Sequence, residues 1–316
     1  YFILLNILNK STCASCDIAL ALIYPTYLFI MKFLSFIHKN KLQFGGVNGE
    51  GIVNISQRFP KLPDLRQAIR EQRLEELTDT ISSVAPDHSL DEIQFAPTIP
   101  NPEKIICIGV NYANRNAEYK DGSDLPKYPS VFMRSRESLV GHQQDIMNPP
   151  ESEQLDYEGE IVLVIGKAGR RISETEAHKY IAGLTIMNEG SVRDYLRHAK
   201  FNVTQGKNFE ASGSVGPWMV TTNELNPMGK LQVITRVNRQ ERQNDVTDNL
   251  MFPFRFLISY LSSFYRLKPG DLIATGTPNG AGARFNPPKY LRQGDAVEVE
   301  VPGLGVLSNS IADEIE

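Results

Sequence analysis

Glu158-Gly159-Glu160 stands at the head of an apolar run, Ile161-Val162-Leu163-Val164-Ile165, which Gly166 closes. A short apolar run bounded in this way reads as a buried strand. Residues two apart on a strand face the same way, so both carboxylates point to one side at the rim of a core. Two like charges there repel each other and lose water. A divalent cation between them relieves both costs, because hard cations take carboxylate oxygens. The alternative is a strand end carrying two solvated acids, which needs no ion.

Three other pieces share this chemistry. Asn188-Glu189-Gly190-Ser191-Val192-Arg193-Asp194 sets a third carboxylate between a strand and the start of a helix. Gly206-Lys207-Asn208-Phe209 offers a lysine beside a glycine. Gly270-Asp271-Leu272-Ile273-Ala274-Thr275-Gly276-Thr277-Pro278-Asn279-Gly280 is a strand that runs into a turn rich in hydroxyls and glycine. Taken singly, each has an ordinary reading. Arg193 can pair on a helix surface with Asp194 or Glu189, Lys207 can be a solvated loop lysine, and Thr277 can cap a turn beside Pro278.

The elements that must position these groups are mostly strands. Period-2 and apolar-run patterns predict strands over residues 105–110, 130–133, 160–165, 184–187, 232–237, 271–274 and 296–301. Helices are predicted over 191–198 and 252–265. Upstream, Met31-Lys32-Phe33-Leu34-Ser35-Phe36 reads as an edge strand. Short strand-like pieces and a charged helical stretch over 65–77 follow it. Pro97-Thr98-Ile99-Pro100-Asn101-Pro102 reads as an extended crossover and a domain boundary. The polar tract 115–129 reads as a loop or lid.

Composition excludes several classes. The chain has 316 residues, 41% hydrophobic and 22% charged, with a formal net charge of −4, which is ordinary globular composition without a polyanion-binding signature. Cys13, Cys16 and Cys107 form no disulfide framework, which fits a reducing, cytoplasmic setting. No G-x-S-x-G elbow is present, so a conventional serine hydrolase is disfavoured.

Together and in this order, these motifs resemble the fumarylacetoacetate hydrolase family. The resemblance spans roughly residues 104–310 and includes Gly109-Val110-Asn111-Tyr112 near its start and Pro287-Pro288-Lys289-Tyr290-Leu291-Arg292-Gln293-Gly294-Asp295 near its end. It implies a mixed α/β, mainly β fold: a mixed β roll over 104–316, with a small N-terminal domain over 31–100. It implies a homodimer and Mg²⁺ or Mn²⁺, with Ca²⁺ in some members, held by Glu158, Glu160 and Glu189. The third ligand is Glu here where the common pattern has Asp. Lys207 then matches the family's lysine, Arg193 its substrate-holding arginine and Thr277 its turn threonine. Tyr112 falls in the N-Y segment beside the substrate.

One departure matters. The family's hydrolases carry N-Y-x-x-H-x-x-E, and this chain reads Asn111-Tyr112-Ala113-Asn114-Arg115-Asn116-Ala117-Glu118. Arg115 stays protonated and cannot replace a histidine base. It can clamp a substrate carboxylate or pair with Glu118 one helical turn away. The resemblance implies a 2-oxo acid substrate and a metal-stabilised enolate. C–C hydrolysis is the family default. The missing histidine supports a tautomerase, isomerase or decarboxylase of a related diacid, such as a 2-hydroxymuconate- or oxaloacetate-like compound. A metal-stabilised binding protein without turnover is a third reading, and retention of Lys207, Arg193 and Glu118 argues against it.

Residues 1–30 are apolar and begin with Tyr1. Our expectation is that Met31 is the natural start, the rival being a membrane anchor or targeting segment. Mass spectrometry of the endogenous N-terminus checks this, and a mature chain that retains residues 1–30 would overturn it.

Overall fold

The computed structural model describes residues 30–114, 125–199 and 202–315. The tract with Arg115 and Glu118, and all but the last residue of the N-terminal segment 1–30, lie outside these described residues. Met31–Glu316 forms one compact unit. Among the described residues, no helix is long and apolar enough to cross a membrane.

The strand Gly159–Ile165 is buried along its whole length. It lies inside a 12-stranded, largely antiparallel sheet, between Ile181–Asn188 and Leu272–Ala274. Ile105–Gly109 and Ser130–Met133 continue the sheet past Leu272–Ala274. Gly213–Thr221 continues it past Ile181–Asn188. Two-sided cover explains why its apolar run is continuous rather than alternating. Val162 and Val164 join a cluster with Phe44, Leu77, Ile81 and Met219. The opposite face meets a five-stranded sheet built around Gln232–Val237 and Ala296–Val301. At Gly159 the second sheet comes so close that a Cβ would sit 2.0 Å from Thr235 Oγ1 and 3.0 Å from Val299 Cγ1. The residue between the two glutamates is therefore glycine for packing. Glu158 and Glu160, on the alternate face, escape that contact.

Each predicted strand is present, with boundaries shifted by a few residues. Several strands inside the catalytic region were not foreseen, the longest being Gly213–Thr221, Gln240–Val246 and Gly305–Asp313. Gly213–Thr221 is broken up in sequence by Gly216 and Pro217. Gln240–Val246 carries polar residues inward, Gln243 and Asp245, where an apolar face would have announced a strand.

Three expectations need correction. Lys32–His38 is no edge strand: it pairs with Lys41–Asn48 on one side and with Gly213–Thr221 on the other. For the same reason the proline-rich segment 97–102 does not separate two units. Residues 31–95 supply strands to the same sheet, and Met31, Phe33 and Phe44 share a core with Val215 and Met219. The helix expected over 191–198 is a two-residue strand, Ser191–Val192, followed by a 3₁₀ turn at Tyr195–Arg197. Pairing of Ser191–Val192 with Leu155–Asp156 takes the backbone hydrogen bonds that a helix would need.

One compact unit over residues 31–316 predicts one unfolding transition. In urea, fluorescence of Trp218, on the strand where the two parts join, and far-UV circular dichroism should change together. Two separated transitions would restore a boundary at 97–102. Leu163→Ala, at a fully buried position, should cost about 2–5 kcal/mol in the same experiment.

Candidate active site

Strand register assembles the carboxylates. Gly159 lies opposite Asn188 and Glu160 opposite Met187, so Glu158 meets Glu189, whose backbone N–H donates to Glu158 O at 2.8 Å. Asn188 Oδ1 accepts from Glu158 N at 3.0 Å and fixes the bend there. Glu158, Glu160 and Glu189 are all buried, and one ligand oxygen from each lies within 4.8 Å of the others. The neighbouring strand continues into Thr275-Gly276-Thr277, where Gly276 N donates to Glu160 Oε2 at 2.7 Å. Gly276 has φ +101, and a Cβ there would sit 2.6 Å from Asn111 Cβ, so only glycine presents that N–H.

Buried carboxylates this close require compensation. Lys207 Nζ bridges Glu158 Oε2 at 2.9 Å and Glu189 Oε2 at 3.2 Å. It stands 5.2 Å from the centre of the Phe132 ring. Lys207 ends the one-turn helix Thr204–Lys207 and is 4% exposed, which rules out the solvated-loop reading. Arg193 Nη2 lies 2.6 Å from Glu158 Oε1, and its Nε donates to Asp156 Oδ2 at 2.7 Å. Arg134, fully buried, donates to Gly190 O at 2.7 Å and approaches Glu189 Oε1 at 3.6 Å.

Burial, followed by the charges of Glu189 and Glu158, pushes the Glu160 carboxyl well above the usual carboxylate range. For Lys207, burial alone would lower the pKa, but Glu158 and Glu189 outweigh it and the result is raised. Desolvation therefore does not free Lys207 as a base. Arg193 follows the same pattern and stays charged.

The donor set fits a hard divalent cation. Three carboxylates converge, and Glu189 Oε1 is buried with no hydrogen-bond partner among the described residues. Apart from Arg134 Nη1 at 3.6 Å, no group among the described residues satisfies this ligand-ready oxygen.

Glu158, Glu160, Glu189, Arg193, Lys207 and Thr277 line one cavity of about 170 Å³. Val110 lies on its wall with φ +54, strained for a β-branched residue. Thr277 keeps its hydroxyl occupied: it donates to Gly159 O at 3.0 Å and accepts from Gln243 Nε2 at 2.8 Å. Tyr112 is buried against this region without lining the cavity, its phenol pushed up by burial and by the charges of Asp245 and Glu160.

Asp156, Arg134 and Gln243 were missed in the sequence. Asp156 had a signal: Asp156-x-Glu158-x-Glu160 extends the same-face alternation by one step. Its carboxylate accepts from Tyr157 N, Gly282 N, Ala283 N and Arg193 Nε at 2.7–2.9 Å. Arg134 and Gln243 come from distant strands and no spacing points to them.

Residues 104–312 match the family model described as fumarylacetoacetate (FAA) hydrolase C-terminal. The chain is 40% identical over 227 residues to the oxaloacetate tautomerase YisK of Bacillus subtilis (strain 168), covering 71% of this chain and 75% of that protein. It is 34% identical over 269 residues to the mitochondrial oxaloacetate tautomerase FAHD2A of Bos taurus, covering 84% and 85%. Among solved structures, the fumarylacetoacetate hydrolase of Exiguobacterium antarcticum superposes with a TM-score of 0.79 at 26% identity, covering 90% of this chain and 100% of that one.

Two outcomes test the centre. Without a cation, the native state keeps a proton on Glu160 that the unfolded chain releases above its ordinary 4.5. Stability should therefore fall as pH rises from that value towards the raised native one. Binding of Mg²⁺ or Mn²⁺ should release that proton and tighten with pH. Calorimetry in two buffers of different ionisation heat measures the release, and none would mean Glu160 is already ionised. Separately, Asp156→Ala strips Arg193 of a buried partner and should cost about 3–5 kcal/mol in a denaturant titration.

Proposed function

The chain belongs to the fumarylacetoacetate hydrolase family, and on that premise we propose that this enzyme interconverts the keto and enol forms of a 2-oxo diacid of the oxaloacetate class. Glu158, Glu160 and Glu189 would hold Mg²⁺ or Mn²⁺. One observation carries the reading: the cavity presents three carboxylates and a lysine ammonium, and no imidazole among its described lining residues. His142 is elsewhere, its Nδ1 accepting from Ser308 N at 3.0 Å and its pKa pushed down by burial to about 4. Cleaving a C–C bond by hydrolysis needs an activated water. Tautomerisation needs only that protons move at C3 and at the 2-oxo oxygen. The relatives named above as oxaloacetate tautomerases support the second chemistry. The family default of hydrolysis takes second place.

When bound, the cation supplies Lewis-acid charge that stabilises a developing enolate. Lys207, held as an ammonium by Glu158 and Glu189, donates a proton to the 2-oxo oxygen as charge grows there. The C3–H bond breaks and its electron pair forms the C2=C3 bond. We assign Glu118 to accept the C3 proton and Arg115 to hold the distal carboxylate. Arg193 is spent on Asp156 and Glu158. Its role is to orient Glu158, in place of the direct clamp on substrate that the resemblance implied. Thr277, whose hydroxyl is also occupied, shapes the cavity wall beside Gly159.

Proton NMR of oxaloacetate with added Mg²⁺ or Mn²⁺ should show keto–enol exchange faster than without protein, and Glu158→Ala should return it to background. Lys207→Met should lower kcat by about 10²–10⁴-fold. Rapid formation of acetate and pyruvate from acetylpyruvate would overturn this reading in favour of hydrolysis.

A further inference from the structure

A second cavity, of about 560 Å³, lies apart from the carboxylate cluster and has the opposite character. Arg66, Arg70, Lys167, Arg266 and Lys268 line it with a single carboxylate, Glu103. Glu103 pairs with two of the five cations, Arg66 and Lys268. Arg66 is further held by Asn101 O, to which its Nη1 donates at 3.0 Å. These contacts position Arg66 and Lys268 at the wall. No carboxylate among the described residues pairs with Arg70, Lys167 or Arg266. In a chain whose formal charge is −4, five cations around one concavity are a local reversal of sign that focuses potential into the cleft.

The cleft does not end there. A neighbouring cavity of about 270 Å³ shares Gln72, Gly166 and Lys167 with it; its wall includes Ile69, Leu74, Ile181 and Ala182, with one carboxylate, Glu75, and one further cation, Lys179. One lobe is cationic and the other partly apolar. We propose that this two-lobed cleft is a binding site for a phosphorylated small molecule, with phosphate in the Arg70–Lys167–Arg266 lobe and the uncharged body against Leu74 and Ile181. Guanidinium forks suit phosphate oxygens, and three of the five cations are arginines. The site also has a structural link to the carboxylates. Lys167 follows the far end of the strand that carries Glu160, roughly 23 Å away along an extended chain. Lys268 and Pro269 precede the strand whose other end leads to Gly276.

Calorimetric titration of the full-length chain with inorganic pyrophosphate, without added divalent metal, tests the site. Wild type should bind, and affinity should fall with rising salt. The exposed double substitution Lys167→Glu with Arg266→Glu should weaken binding by about tenfold or more, while its circular dichroism stays that of wild type. Lys207→Met should bind pyrophosphate as wild type does. Titration with ADP in place of pyrophosphate should give at least equal affinity if the partly apolar lobe takes the uncharged body. Absence of binding, indifference to the double substitution, or loss in Lys207→Met alone would overturn the proposal. The last of these would place the anion in the carboxylate cavity.

Discussion

Mutual repulsion of three buried carboxylates is the constraint around which this structure is organised. Glu158, Glu160 and Glu189 are each at most 5% exposed, and solvent does little to screen charges so placed. Every charged neighbour answers that repulsion. Lys207 bridges two of the three, Arg193 holds the first from the side, and Arg134 approaches the third from behind. Among the described residues Glu160 has no ion-pair partner and accepts from one backbone N–H, and burial with the charges of Glu189 and Glu158 raises its pKa well above the usual carboxylate range. A divalent ion would complete the balance, and the same imbalance would draw the ion in.

Such a cluster costs stability, because paired buried charges rarely repay their desolvation in full. The fold offsets this by placing the cluster at the end of a strand buried on both faces. Val162 and Val164 anchor one face in the large cluster, while Gly159 lets the second sheet close against the other. The strand is therefore stiff where the glutamates leave it. A one-residue slip against Ile181–Asn188 would turn Glu158 and Glu160 away from Glu189, so the apolar register also serves as the alignment of the site. At the rim, Val110 holds a left-handed backbone beside the cavity.

Much of this was legible in the residues. The apolar run from Ile161 to Ile165 announced its strand because full burial leaves no polar alternation. The spacing of Glu158 and Glu160 announced a shared face because the strand period is two. Failures have equally physical causes. Ser191–His198 has helical composition, yet its first residues pair with Leu155–Asp156, and tertiary pairing overrides local preference. Gln240–Val246 hid as a strand because its inward residues are polar: Gln243 serves Gly159, Thr277 and Pro278 instead of packing in oil.

Sequence alone determined the family, the strand-rich class, the three carboxylates and the lysine beside them, since all of these depend on residue type and short-range period. Tertiary structure decided what those groups do to one another. It set Lys207 as an ammonium rather than a base, because two carboxylates sit within 3.2 Å of its nitrogen. It paired Arg193 with Asp156 and Glu158, and it joined residues 31–95 to the main sheet through the pairing of Lys32–His38 with Gly213–Thr221. Electrostatic state and sheet partnership are properties of neighbours far apart in the chain, and linear spacing holds no record of them.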